Sequence, residues 1–238
     1  MKKIILGLIV LAGIVSCTKE TAENTLELSG NIKGLKTGTL YIQKFADSTL
    51  VLVDSITFNG KSEFKISVPL ESPEMLYLLL DKGPTNSTDN SLFIFAEPGK
   101  MYVDTQLESF YSEAKVTGSK NHELYLNYKK VNEPFNQKNI ELINEEIKAL
   151  KLERPAILDS IQKEKDLLVK RRYLRVINFA LNHKEYDIAP YVAVFDIYDA
   201  KLSYLDSIQK VLAPKVADGK YGIMLKNLIE ERKEFENE

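Results

Sequence analysis

The stretch VDSITFNGKSEF at residues 53–64 decides the fold of the front half of this chain. Apolar and polar side chains alternate on both sides of Asn59-Gly60, the period of a strand with one buried face. Asn tolerates, and Gly freely adopts, the positive φ that a two-residue hairpin turn demands. The segment therefore predicts two antiparallel strands, with Ile56 and Phe58 facing a partner that carries Phe64 and Ile66. Working outward, the same alternation predicts strands near 25–33, 38–45, 50–58, 62–68, 75–81, 91–96, 100–105 and 111–116. Turn residues at Lys36-Thr37-Gly38 and Glu97-Pro98-Gly99 separate them. Residues 26–118 thus predict an antiparallel β-sandwich or barrel-like domain.

Beyond Gly118-Ser119 the period changes. Glycine becomes scarce, charges rise, and apolar residues recur at three and four, as in Ile157, Ile161, Leu168 and in Val176, Ile177, Ala180, Leu181. Helices are predicted near 120–132, 137–152, 156–183, 190–199, 202–213 and 221–235. Ser119 suits an N-cap, because its hydroxyl accepts from an unpaired amide of the first turn. Pro134, Pro155 and Pro190 predict helix boundaries, since proline fits a first turn and breaks an interior. The fold class is α+β, a β-domain followed by an all-α region over 119–238. The tyrosines Tyr125, Tyr128, Tyr191, Tyr198 and Tyr204 belong to core or rim rather than to a stacking platform. The mixed-sign stretches 141–151 and 163–175 are solvated helix faces. Lys170-Arg171-Arg172 is the densest basic cluster and the one candidate contact with anionic headgroups, although three charges supply little at physiological salt.

The N-terminus adds an address. Lys2 and Lys3 precede an apolar run from Ile4 to Val15, about a dozen residues long, which suits a signal peptide and falls short of the ~20 that a spanning helix needs. Ile14-Val15-Ser16-Cys17 resembles the bacterial lipobox, in which the cysteine thiol receives a diacylglycerol before cleavage. Cys17 is the single cysteine of the chain, so it has no disulfide partner within it. Residues 1–16 are expected to be removed as signal peptide, and 17–25 to form a polar, lipidated tether. Two or three acyl chains on Cys17 hold a protein on a membrane where one holds it marginally. The expected location is the cell envelope, with the outer membrane favoured. Losing Lys2 and Lys3 takes the basic side chains from 32 to 30 against 34 acidic, a net charge of −4. That surface argues against nucleic acid, whose phosphates need a clustered basic face.

Catalytic signals are wanting. His122 and His183 lie far apart, with no cysteine or second histidine at metal spacing, and both predict lone, exposed helical histidines. There is no Gly-rich phosphate loop, nucleophile elbow or zinc-protease helix motif. Glu145-Glu146 are sequence neighbours on a helix and point to different faces. No cofactor, metal or catalytic residue is expected.

Residues 26–119 resemble a small β-domain of unknown function that precedes thioredoxin-like domains in envelope thiol:disulfide oxidoreductases of the Bacteroidetes. The segments that carry the likeness are LSGNIKGL at 28–35, GTLYI at 38–42, VDSITFNGKSEF at 53–64, FAEPGKMYVD at 95–104 and VTGSKNHELY at 116–125. The helical stretches FALNHKEYDIAPYVAVFDIY at 179–198 and YGIMLKNLIEERKE at 221–234 resemble the inter-domain region of the same proteins. In those relatives a thioredoxin-like domain with Cys-x-x-Cys follows, and within these residues none does. Disulfide exchange needs an attacking thiolate and a resolving thiol, so the expectation is a non-catalytic binding or scaffold module. The alternative is an accessory to a separate thioredoxin-like envelope protein. A hydrolase using acids of the β-domain ranks behind both, and requires a deep pocket holding a raised carboxylate pKa. Asp-Ser followed by Thr or Ile recurs four times, at Ser48, Ser55, Ser160 and Ser207, resembling an O-glycosylation sequon of the same group. Ordinary turn and cap chemistry explains the recurrence equally well.

Overall fold

The computed structural model describes residues 24–46, 49–83 and 89–237. Cys17, the signal peptide, most of the tether and Ser48 lie outside the described residues. Eight strands come first: β1 (Thr25–Lys33), β2 (Thr37–Ala46), β3 (Thr49–Asn59), β4 (Glu63–Pro69), β5 (Glu74–Asp81), β6 (Ser91–Ala96), β7 (Gly99–Gln106) and β8 (Lys115–Thr117). Six helices follow: α1 (Lys120–Lys151), α2 (Pro155–Asn182), α3 (Ile188–Asp196), α4 (Leu202–Val211), α5 (Pro214–Ala217) and α6 (Lys220–Asn237).

The strands form two four-stranded sheets, ordered β4-β1-β7-β8 and β3-β2-β5-β6. Alternate side chains of both sheets interdigitate between them, including Leu26, Leu28, Leu40, Ile42, Leu78, Ile94 and Val103. The sandwich expectation therefore holds, with differences in pairing. β1 runs parallel to β7, with Leu28 beside Met101, because the chain crosses to the second sheet and returns before β7.

The Asn59-Gly60 turn also differs from expectation. Gly60 has the positive φ, +81°, but the strands on its two sides do not pair with each other. β3 pairs with β2, with Thr57 opposite Thr39, whereas β4 pairs with β1, with Ile66 opposite Leu28. The turn is a corner between sheets. Phe58 and Phe64 still meet, edge to face at 6.2 Å, but across the core instead of along one ladder.

The outer face of β5 and β6 is covered by helices. Met75 and Phe95 are buried in a second core with Val176, Val192, Leu205 and Leu225, so β5 is buried nearly throughout instead of on alternate residues. The molecule is thus three layers: sheet, sheet, helices. α1 runs unbroken for 32 residues, about 48 Å at 1.5 Å per residue. The helix boundary expected at Pro134 does not exist, since Pro134 is interior to α1. Pro155 opens α2, and Pro190 falls in the first turn of α3, as proline tolerates. Beyond Pro134, α1 and α2 pair around a separate small cluster of Leu142, Ala149 and Ile161, tied by Lys165 to Glu146 at 2.5 Å. No helix among the described residues is long and apolar enough to cross a membrane.

Candidate functional site

Between α1, α2 and α3 the helical layer leaves an open hollow of about 220 Å³. Its walls are aromatic. Tyr125 and Tyr128 come from α1, one turn apart, and Tyr191 and Phe195 from α3, again one turn apart. Tyr191 stacks against Phe195 with ring centroids 4.8 Å apart, and meets Tyr125 edge-on at 6.2 Å. Phe195 keeps 49% of its surface exposed, large for an aromatic side chain inside a concavity. Burial raises the phenol pKa of Tyr125 to about 12 and pushes those of Tyr128 and Tyr191 further up, so all three are neutral donors.

Polar groups are set among the rings. Tyr128 Oη donates to Asp196 Oδ2 at 2.5 Å, and Arg172 Nη2 donates to the Asp196 carbonyl at 2.5 Å. Asn132 lies one turn along α1 from Tyr128 and is only 8% exposed. Its Oδ1 is buried out of reach of solvent and has no hydrogen-bond partner, which costs roughly 1–3 kcal/mol. Lys129 closes one side, its Nζ donating to Tyr111 Oη at 2.8 Å and lying 5.5 Å from the Tyr125 ring centroid.

A second polar constellation lies where the sheets meet the helices. Glu97 Oε1 accepts from the Asn121 backbone at 2.5 Å and from Asn121 Nδ2 at 2.9 Å, while Asn121 Oδ1 accepts from Ile188 N at 2.8 Å. Ser119 Oγ lies 2.7 Å from Phe95 O and 2.9 Å from Glu97 Oε1, and accepts from His122 N at 2.9 Å. The expected N-cap is therefore in place. His122 Nδ1 accepts from the Phe95 amide at 3.2 Å, which fixes a neutral ring protonated on Nε2. Burial, with Lys129 nearby, pushes its pKa down to about 4. Asp187, just before α3, is buried with Oδ1 unpartnered, and desolvation raises its pKa to about 7. This junction is a lock, since Glu97, Ser119, Asn121 and His122 are spent on holding α1 and α3 to the end of β6.

Residues 26–125 match the family model described as a domain of unknown function, DUF4369. This segment is similar to the domains of that family. Comparison with curated proteins and with solved structures returned no match. The DUF4369 match runs past the last strand into α1, and the geometry gives the reason: the Glu97-Pro98-Gly99 and Gly118-Ser119-Lys120-Asn121-His122 segments converge on one another. The cleft, apart from Tyr125, is built from residues beyond the matched segment.

The side chains singled out from sequence are dispersed. Cys17 and Ser48 lie outside the described residues. Ser55, Ser160 and Ser207 are exposed, on β3, α2 and α4. His122 corrects the expectation of an exposed histidine, because its ring is taken into the sheet–helix junction at 2% exposure. His183 is also partly buried, stacked on Phe179 with centroids 4.2 Å apart. Of the tyrosines, Tyr128 is core, Tyr125 and Tyr191 are half-buried, and Tyr198 and Tyr204 are exposed. Lys170 and Arg171 face solvent, whereas Arg172 turns into the cleft. Sequence reasoning missed Asn132, Phe195 and Asp196, although the pairing of Tyr125-Tyr128-Asn132 at three and four with Tyr191-Phe195 at four was a readable signal. Among the described residues, no three His, Cys, Asp or Glu side chains converge as metal ligands.

Proposed function

We propose that this chain is an envelope lipoprotein, anchored through lipid on Cys17, that acts as a non-catalytic binding module with the α1–α2–α3 cleft as its recognition site. The observation that carries it is the aromatic-walled concavity itself, with Lys129, Asn136, Arg172 and Asp196 set among its rings. Small-ligand sites combine apolar walls with a few convergent polar groups. The cleft rests on a scaffold cross-tied to the sheets, which suits a pre-formed site. The lipid on Cys17 would leave the three-layer body at the membrane surface and free to receive its ligand.

Two measurements test this reading. Cell fractionation should place the native protein in the membrane and Cys17→Ala in the soluble fraction, and an unchanged distribution would remove the anchor. A thermal-shift screen of small polar ligands should give hits that stabilise the native chain and not Phe195→Ala, a change at a half-exposed lining residue. A screen with no such hit would remove the cleft.

A specific observation supports a protein partner as the second reading. Ile140, Ile143, Ile147 and Leu150 recur at three and four along α1, and all are at least 40% exposed. Such a row on a protruding helix suits docking to another protein, as an accessory to a thioredoxin-like envelope protein would need. Crosslinking in native cells, followed by repetition with Ile143→Glu and Ile147→Glu together, decides it: capture that survives the double change would count against this row.

A further inference from the structure

We infer that two copies of this chain pair about a two-fold axis, each laying the α1 row of Ile140, Ile143, Ile147 and Leu150 on the uncovered outer face of the other's β3-β2-β5-β6 sheet. This rests on the row being a docking surface and names what it docks. Leu40, Ile42, Leu76, Leu78, Leu92 and Ile94 point into the sandwich, so the alternate residues of the same strands point out of it. At Met75 and Phe95 that outer face lies under the helices. Beside them the cover ends. Phe45 and its ladder neighbour Leu50 are exposed, as is Leu52. The cross-strand row that starts at Leu52 continues through Gln43, Tyr77 and Phe93, and the next runs through Ser55, Tyr41, Leu79 and Ser91. Neither row holds a charged side chain. Phe45 meets Tyr77, and Tyr77 meets Phe93, edge to face with centroids 5.1 and 4.9 Å apart, so the three rings form one ridge. A sheet face left to water carries polar side chains, whereas a contiguous apolar face marks an interaction surface.

The covered part of the face shows what fits the rest of it. Met75 and Phe95 are buried by apolar side chains of helices, among them Val176, Val192, Leu205 and Leu225, and another apolar helix surface laid alongside would extend that layer. The α1 row is such a surface, with its four side chains on one side of the helix. Being exposed, the row does not lie on its own sheet, so its cover comes from another molecule. Past Pro134 the helix is packed on α2 around a separate small cluster, and residues 135–151 extend about 25 Å at 1.5 Å per residue, long enough to cross a four-stranded sheet. The rims are complementary in charge. Lys151 stands one turn past Ile147, while Asp54 and Asp81 border the sheet face; all three are exposed and make no ion pair among the described residues.

The area decides for a two-fold pair. One row on one sheet face covers roughly 800 Å² counting both sides, short of the ~1,200–2,000 Å² of a stable interface. A two-fold axis makes the contact twice and brings the total to roughly 1,600 Å². It also closes the assembly, because a single head-to-tail contact would leave a row and a sheet face open at the two ends and grow into a fibre.

The test is sedimentation velocity on the full lipidated chain in a density-matched non-ionic detergent, with circular dichroism to confirm folding. The native chain should be a dimer at micromolar concentration. Ile143→Glu with Ile147→Glu, and separately Leu50→Lys with Leu52→Lys, alter exposed residues and should each weaken pairing about hundredfold or more. Mixing the two variants should restore the dimer, since one contact is then native and the other sets Glu against Lys. Damaged folds would not rescue each other. A monomeric native chain would overturn the inference, as would a dimer that survives the Leu50 and Leu52 changes, or variants that stay monomeric when mixed. If the chain is monomeric yet crosslinks in cells to another envelope protein, and the row changes abolish that capture, the pair is overturned and the row remains a docking surface. A monomer whose captures ignore the row changes would overturn both.

Discussion

Gly118 precedes the N-cap of α1 at φ +95°, and a Cβ built there would stand 2.1 Å from the Lys100 carbonyl. Both the left-handed backbone and the close approach require glycine, so Gly118→Ala should destabilise the protein by about 3 kcal/mol or more, read from urea unfolding. His122 and Asp187 are buried at the same junction with opposite proton demands. The His122 pKa is held at about 4, below its ordinary value, so its contribution is complete above about pH 6.5 and is lost as pH falls through 4. The Asp187 pKa is held at about 7, above its ordinary value, so its contribution is complete below about pH 4 and is lost as pH rises through 7. Between these limits the slopes oppose, each approaching about 1.4 kcal/mol per pH unit at most. Asp187→Asn should therefore make stability rise from pH 4.5 to 6.5, and His122→Gln should make it fall. Parallel responses of the two variants would contradict these assignments.

At the scale of the element, α1 shows how tertiary contacts override a local breaker. Pro134 has no N–H to give the Lys130 carbonyl and its ring crowds that group, a cost of about 3 kcal/mol in a helix interior. The helix continues because the next turns are held from outside. Arg175 Nη1 donates to the Val131 carbonyl at 3.4 Å, and its guanidinium lies 4.9 Å from the Phe135 ring centroid. Leu142 and Ala149 beyond it are buried against α2. Pro134→Ala should then raise the melting temperature, while Arg175→Ala should lower it by a few degrees, in line with about 1 kcal/mol for one carbonyl bond and a partly exposed ring contact. The turn after β3 teaches the same lesson. Asn59-Gly60 specifies a sharp reversal, and that reversal is present. Whether the next strand pairs with the last or crosses to the other sheet depends on β1, which offers β4 a ladder over seven residues, Thr25 to Asn31.

The whole molecule is held as one body by β5 and β6, which serve two cores at once. Inward, Leu76, Leu78 and Ile94 fill the sandwich. Outward, Met75 and Phe95 are buried under the helices, with Tyr77 and Phe93 packed beside them. Tyr221 Oη accepts from the Met75 amide at 2.8 Å, and the buried Glu74 carboxylate takes both Lys44, at 2.9 Å, and Lys220. The full chain should consequently unfold in one transition seen alike by circular dichroism and tyrosine fluorescence. A fragment of residues 24–118 would bare the outer face of β5 and β6, an apolar patch that invites association, and should bind a hydrophobic dye or aggregate. Two separated transitions in the full chain, or a monomeric fragment that leaves the dye unbound, would show that the helices are not part of the cooperative unit.

The sequence by itself determined the class, the succession of a β-half and a helical half, and the segment that is similar to DUF4369. Alternation and 3.6-residue periodicity are local properties, and Ser119, Gly60 and Pro155 act on the backbone next to them. It did not determine which strand pairs with which, because every ladder offers the same hydrogen bonds and the choice rests on burying faces far apart in the chain. It also concealed His122, whose ring is drawn inward by the Phe95 amide, and the cleft, whose Tyr128 and Asp196 meet only because α1 and α3 pack side by side. Those contacts join residues dozens of positions apart, so they exist only once the chain has closed on itself.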